Sequence, residues 1–245
     1  MKRGIKCIIL ICMIAIIGGC SSNNKKNNTN SDLEKQSKIN IEDIDWKVRQ
    51  GIVDGDRYAL LDYTNNTPYT ITHFELTFEE KDDLKEEDKE KFYKHIKDVV
   101  NADDEGMEEI KNKKIEFYAK SNRIVNKNKT VKNQRVYYYS GIYYLQDASY
   151  INLADPSTAT IEYISNDKIH TAYYDYKSKE YTEDEKTEKA IYWTKGTFKD
   201  KLPKPKAQVI KKDYIDNKKS FSFVACGLTK DDYDSYVDKC KKMSY

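Results

Sequence analysis

Long apolar runs, histidine, proline and glycine are all scarce in this chain of 245 residues. No stretch reaches the about 20 consecutive apolar residues that a membrane-spanning helix needs. The longest, Cys7 to Ile17, has eleven. The three histidines, His73, His95 and His170, lie far apart with no second ligand type at metal spacing, so the sequence offers no metal site. No Gly-x-Ser-x-Gly motif occurs, which removes the usual setting of a serine nucleophile. Cysteine is also sparse where a fold would use it. Of five cysteines, Cys7, Cys12 and Cys20 belong to the N-terminal segment, leaving Cys226 and Cys240. Cys226 is expected to end a strand and Cys240 to sit late in the helix that follows. That places their Cα atoms roughly 15 Å apart along the helix rise, whereas a disulfide needs them within about 7 Å. Two buried thiols are therefore expected.

What is present begins with a layout of address. Three cations, Lys2, Arg3 and Lys6, precede the apolar run, which closes on Ile16-Ile17-Gly18-Gly19-Cys20-Ser21-Ser22. This is the order of a secretory signal. Its ending resembles the lipobox of bacterial lipoproteins, with Ile17 in the place of leucine and Gly18 in the place of alanine or serine. The resemblance implies cleavage between Gly19 and Cys20 and a diacylglyceryl group on Cys20. Two acyl chains suffice for stable attachment where one is marginal. Without residues 1–19 the net charge changes from +2 to −1. Neither nucleic-acid binding nor a strongly membrane-adhesive surface is implied. Lysine, asparagine, isoleucine and tyrosine dominate, a bias that looks like an AT-rich Gram-positive genome. The expected location is the extracytoplasmic face of the cell membrane.

Residues 20–40 hold almost no apolar side chain and read as a disordered tether spanning on the order of 25 Å. Order is expected from Ile41. Trp46, Val48, Gln50 and Ile52 alternate with polar neighbours, Asp54-Gly55-Asp56 supplies a tight turn, and residues 57–63 return. A third strand over 69–78 places Phe74, Leu76 and Phe78 on one face. Phe92, Ile96, Val99 and Val100 then predict a helix over 85–100 that lays a stripe on the sheet. Strands follow at 114–119, 130–139, 142–145, 159–164 and 168–176, with turns at Asn126 to Lys129 and at Asn166-Asp167. Thr182-x-x-Glu185 reads as a capping box opening a short helix with Ala190, Ile191 and Trp193. Past the stiff Pro203-Lys204-Pro205 come one strand over 220–226 and a helix opened by Thr229-x-x-Asp232. The helix aligns Tyr233, Tyr236, Val237, Cys240 and Met243. A strand and a helix bury too little to stand alone. This tail is expected to lean on the rest, pair with another chain or stay loose.

Residues 58–67 and 70–78 resemble the FxLYD-type immunoglobulin-like modules of Gram-positive surface lipoproteins, over roughly residues 44–180. The stretch after Phe221 is similar to the opening of a strand-helix module at the ends of such proteins. The expected fold is mainly β: an immunoglobulin-like antiparallel sandwich over 41–200 with one inserted helix, then a linker and strand-helix tail over 201–245 with short C-terminal helices. The resemblance carries no catalytic residue and no cofactor.

Carboxylate pairs such as Asp54 and Asp56, or Asp103 and Asp104, are too common in this composition to indicate glycosidic chemistry. Tyrosine is the unusual quantity, 21 residues against seven phenylalanines. In strands about half of each run faces outward. Tyr137, Tyr139, Tyr143, Tyr173, Tyr174 and Tyr176 are therefore the candidate binding surface, for an extracellular protein, a peptide or a wall glycan. The expected function is non-catalytic binding at the cell envelope. The alternative is an envelope hydrolase or transport accessory acting in a carboxylate-lined cleft.

Overall fold

The computed structural model describes residues 39–140, 143–146 and 150–243. The signal segment, Gly19, Cys20 and the tether up to residue 38 lie outside the described residues. Ile39 and Asn40, expected in the tether, are part of the folded unit. Ile39 is 1% exposed, and the Asn40 side chain accepts the Glu42 N–H at 3.0 Å.

The described chain falls into two compact units, one of Ile39–Tyr163 with His170–Glu185, the other of Ile164–Ile169 with the residues from Lys186 onward. The first is mainly β and antiparallel, in the manner of a sandwich. In chain order up to residue 183 the elements are β1 (Ile44–Val53), β2 (Asp56–Asn65), β3 (Thr70–Glu80), α1 (Glu86–Val100), α2 (Asp104–Lys111), β4 (Glu116–Ser121), β5 (Lys129–Ser140), β6 (Tyr143–Leu145), β7 (Ala154–Ser165), β8 (Lys168–Asp175) and β9 (Glu180–Glu183). Two helices, not one, are inserted between β3 and β4. Strand order runs β1-β2-β5-β4-β3-β7-β8, with β6 on β5 and β9 on β8. The tight turns form where single residues can take positive φ. Asp54 and Gly55 sit at φ 55° and 93°, and Asn166 and Asp167 at 50° and 60°. Both pairs match the right-handed twist of the strands that they join.

Two layers arise because β5 changes partners along its length. Residues 129–135 pair with β2 and residues 136–138 with β4. At the change, Leu61 faces Gln134 but Tyr63 faces Val131, so Asp62 stands opposite a bulge. Asn133 there has φ 62°, and its N–H donates to Asp62 Oδ1 at 2.9 Å. Arg49 completes the joint, with Nε 2.7 Å from Asp62 Oδ2. Burial would raise the Asp62 carboxyl, but Arg49 and the Asn133 amide together hold it below the usual range. Between the layers lie Tyr63 against Phe74, ring centroids 4.8 Å apart, and Trp46 against Phe78 and Tyr176, each at 6.1 Å. α1 covers further inner surface by placing Phe92 on Phe117 and Tyr138. Its stripe is narrower than expected, since Val99 is half exposed.

Two expectations are corrected beyond residue 179. No helix begins at Thr182. Residues 180–183 form β9 on β8, and β10 (Glu188–Lys189) pairs with Lys168 and Ile169. Tertiary contact overrides the local capping pattern, because the Tyr181 ring packs at a tilt on Tyr174 with centroids 4.8 Å apart and its hydroxyl accepts the Ile41 N–H at 2.8 Å. Nor does the tail lack a partner strand. β11 (Val209–Asp216) pairs antiparallel with β12 (Phe221–Cys226), and α3 (Lys230–Lys242) follows behind the Thr229–Asp232 capping box. α3 is the one helix described after residue 200. Phe198, Leu202, Ile210, Phe221, Phe223, Ala225, Tyr236 and Cys240 bury a core of their own, with Trp193 edge-on to Phe221 and Phe223. Cys240 is buried and Cys226 half-buried, and no disulfide joins them.

Two predictions follow from the joints of the first unit, both read by Trp46 fluorescence in a Trp193→Phe background. Asn65 has no exposed surface. Its Nδ2 donates to the carbonyls of Tyr69 and Val125 at 2.8 and 2.7 Å, while Oδ1 accepts from the N–H and hydroxyl of Thr67. Asn65→Ala strands these groups without water and is expected to cost about 3 kcal/mol in urea unfolding. A loss under about 1 kcal/mol would refute the clamp. The depressed Asp62 carboxyl contributes stability above about pH 4, the ordinary carboxylate range, and loses it as pH falls through the folded-state value. Asp62→Asn is therefore expected to be less stable at pH 7 and to show a flatter decline toward pH 2. Parallel acid profiles would contradict the assignment.

Candidate functional site

Alternation on β3 sends Phe74, Leu76 and Phe78 to the core and leaves His73, Glu75, Thr77 and Glu79 on the opposite face. The ladder sets what stands beside them. Glu75 lies across from Lys120, Thr77 from Tyr118 and Glu79 from Glu116. Tyr118 is then opposite Tyr137, and Tyr139 opposite Tyr144. Cross-strand neighbours on one face come within ring contact. Tyr118 and Tyr137 stack at 5.6 Å with planes 24° apart, and Tyr144 joins Tyr137 at 5.2 Å. Three rings thus form one row across β4, β5 and β6.

Polar groups border the row. The Tyr118 hydroxyl donates to Glu116 Oε2 at 2.5 Å. Burial first, then this carboxylate, push the Tyr118 phenol up, because both oppose a phenolate. Gln146 Nε2 donates to the Tyr144 hydroxyl at 2.7 Å, and Gln146 Oε1 accepts from Arg135 at 3.1 Å. The Arg135 guanidinium also lies 4.4 Å over the Tyr58 ring and reaches Asp54 at 3.1 Å. On the other side Glu75 sits between His73 at 3.5 Å and Lys120 at 3.3 Å. The His73 hydrogen bond and then Lys120 hold its carboxyl below the usual range against the effect of burial. A general acid needs the reverse shift.

The six tyrosines read from the sequence are divided by the fold. Tyr137 stands in the row just described, and Tyr139, at 52% exposure, faces outward from the same side of β5. Tyr143 is half-buried against α2, so close to Gly106 that a Cβ there would meet its hydroxyl at 2.0 Å. Tyr173 is exposed on β8, where its hydroxyl donates to Asp184 at 3.2 Å. Tyr174 and Tyr176 line the core with Tyr181 and Trp46. Tyr118, Tyr144, Glu75, Glu116, Lys120 and Arg135 were missed. The Asn126 to Lys129 turn carried the signal. Counting outward in equal steps from that pair brings residue 118 to residue 137, the register observed.

The remaining sequence candidates have local duties. Asp54 meets Arg135, Asp103 caps α2 through the Gly106 N–H at 2.8 Å, and Asp104 meets Lys97 at 2.8 Å. His73 touches Glu75 and Asn122, His95 lies against Tyr150, and His170 stacks on Tyr163. Among the described residues no group of three or more His, Cys, Asp or Glu is placed to hold a metal ion. Among the same residues no helix is long and apolar enough to cross a membrane. No family model, curated protein or solved structure matches the chain.

The outward row should be separable from the fold. Tyr144, half exposed at the end of the row, is expected to cost under about 1 kcal/mol as Tyr144→Ala. Tyr138 points inward from the same strand onto Phe92 and Phe117, so Tyr138→Ala should cost about 3–5 kcal/mol. Urea unfolding of both variants checks the assignment of faces, and equal losses would reverse it.

Proposed function

We propose that the protein is a non-catalytic binding module of the cell envelope, anchored through diacylglyceryl-Cys20 and engaging an extracellular protein with the outer face of β3, β4, β5 and β6. The observation that carries this reading is the row of Tyr118, Tyr137 and Tyr144 bordered by Glu75, Glu116, Lys120 and Arg135. Aromatic residues and arginine are the types enriched in protein interfaces. The rings spend their flat faces on one another. An incoming partner meets edges, hydroxyls and charges, which suits a protein or peptide surface better than the stacked face of a sugar. The resemblance of residues 44–180 to surface-lipoprotein modules, and of Ile17-Gly18-Gly19-Cys20 to a lipobox, supports the envelope location.

The test places a photo-crosslinking residue at Tyr139 in the full chain and, as control, at Ile52, which is exposed on β1. A discrete adduct is expected from position 139 on intact cells, absent from position 52 and lost with Tyr144→Ala. Cys20→Ala should release the protein to the medium or leave it unprocessed. Adducts of equal yield from both positions would reject the face, and unchanged membrane fractionation of Cys20→Ala would reject the anchor.

A further inference from the structure

Charge is unevenly divided along the chain. Residues 186–245 hold fifteen lysines against eight acidic residues, a net +7, whereas residues 20–185 carry a net −8. In the second unit five of these lysines gather around one ring. Two cavities, of about 750 and 440 Å³, share Tyr192 and Lys189. Lys195 and Lys218 line the larger, and Lys211 and Lys212 line the smaller together with Glu188.

Backbone and side-chain bonds hold the lips of the larger cavity in place. Asp216 accepts from the Tyr192 hydroxyl at 2.5 Å and from the Thr194 hydroxyl at 2.7 Å, and Thr194 Oγ1 in turn accepts the Gly196 N–H at 3.0 Å. Opposite, Asn217 Oδ1 accepts the N–H groups of Lys219 and Ser220 at 2.8 and 3.0 Å, fixing the turn that carries Lys218. Asp216 is the one acidic residue lining the larger cavity. Among the described residues Lys189, Lys195 and Lys218 engage in no ion pair. The cavity between α1 and α2 in the first unit is a contrast. There Lys97 is matched by Asp104 and Lys111 by Glu90. Like charges gathered on a concave surface raise the local concentration of anions.

The kind of anion follows from the side chains. All cations in residues 186–245 are lysines. The arginine fork, which grips carboxylate and phosphate alike in fixed geometry, is absent, and the lysine ammonium groups act as point charges that impose no plane on the anion and accommodate a tetrahedral phosphate. Tyr192, with its hydroxyl tied to Asp216, keeps its ring as a wall between the two cavities, flanked by Ile191 and Trp193. Such a wall suits the carbon skeleton of a polyol or sugar. Cavities on both sides of one ring suit a chain longer than a single unit.

We infer that this groove binds a phosphodiester-linked polyol or sugar polymer, phosphates on the lysines and carbon skeleton on Tyr192. The inference stands apart from the protein-binding face of the first unit. Its test titrates the chain from Ser21 to Tyr245 with a glycerol-phosphate oligomer in low salt by calorimetry. Saturable binding that weakens steeply with added salt is expected. Lys195→Glu with Lys218→Glu should weaken it at least about tenfold, and Lys195→Arg with Lys218→Arg should retain it, both with unchanged circular dichroism. Tyr192→Ala should weaken binding of the oligomer but not of inorganic phosphate. No binding, equal affinity of the Glu variant, or tighter binding to polygalacturonate, to a single-stranded oligonucleotide or to phosphatidylglycerol vesicles would each overturn the inference.

Discussion

The two-layered form of the first unit depends on satisfying backbone groups at the corner where the chain leaves β2 for β3. Ladder hydrogen bonds stop at such a corner, and here its carbonyls are inside. Asn65 meets them with both ends of its amide, bonding Thr67 and Tyr69 in the corner and Val125 in the connection before β5. The Asn65 carbonyl also accepts the Asn128 N–H at 2.6 Å. One residue thereby holds two loops that are sixty residues apart in sequence. Three positions earlier on the same strand, Asp62 holds the bulge at which β5 turns from β2 toward β4. Both joints between the layers are thus set from one strand, by an amide and a carboxylate whose buried acceptors and donors are matched.

What could be read from the sequence was what local geometry decides. Asp54-Gly55 and Asn166-Asp167 mark their hairpins because positive φ is costly elsewhere, and Phe92 and Ile96 mark α1 by helical spacing. Strand order had no such signal. Nothing local to β5 says that its two halves serve different neighbours, or that β7 lies beside β3. The helix expected after Thr182 shows a local pattern losing to tertiary structure, since Thr182 and Glu183 pair with Tyr173 and Ala172. β11 escaped notice because Lys211, Lys212 and Asp213 interrupt its apolar pattern. Among its described side chains, Val209 and Ile210 are the buried ones.

The same division applies to the candidate site. Tyrosine runs announce a surface, but a run in a strand alternates, and Tyr138 is as deeply buried as Tyr139 is exposed. Parity separates neighbours without saying which strand lies alongside. Only the hairpin register joins Tyr118 to Tyr137, and the short β6 brings Tyr144 to the same row. Sequence distance is therefore a poor guide to membership. Tyr143, adjacent to Tyr144, belongs to the α2 side of the sheet.

The charges of the two units ask different things of a partner. On the outer face of the first unit, register has already placed Glu75 against Lys120 and Tyr118 against Glu116, so little Coulomb energy is left to gain on docking. A partner there must match the pattern and is discriminated mainly by the cost of mismatching it. Around Tyr192 cations outnumber carboxylates in the lining, Asp216 in the larger cavity being already held by two hydroxyls and Glu188 being the acidic residue of the smaller. That surface attracts at range and falls off with salt. Its geometry supplies selection only through the ring wall and the spacing of the ammonium groups. On the two roles proposed, a single chain combines a pattern-reading face on one unit with a charge-collecting groove on the other, each following from where its sheet register and turns put lysine and tyrosine.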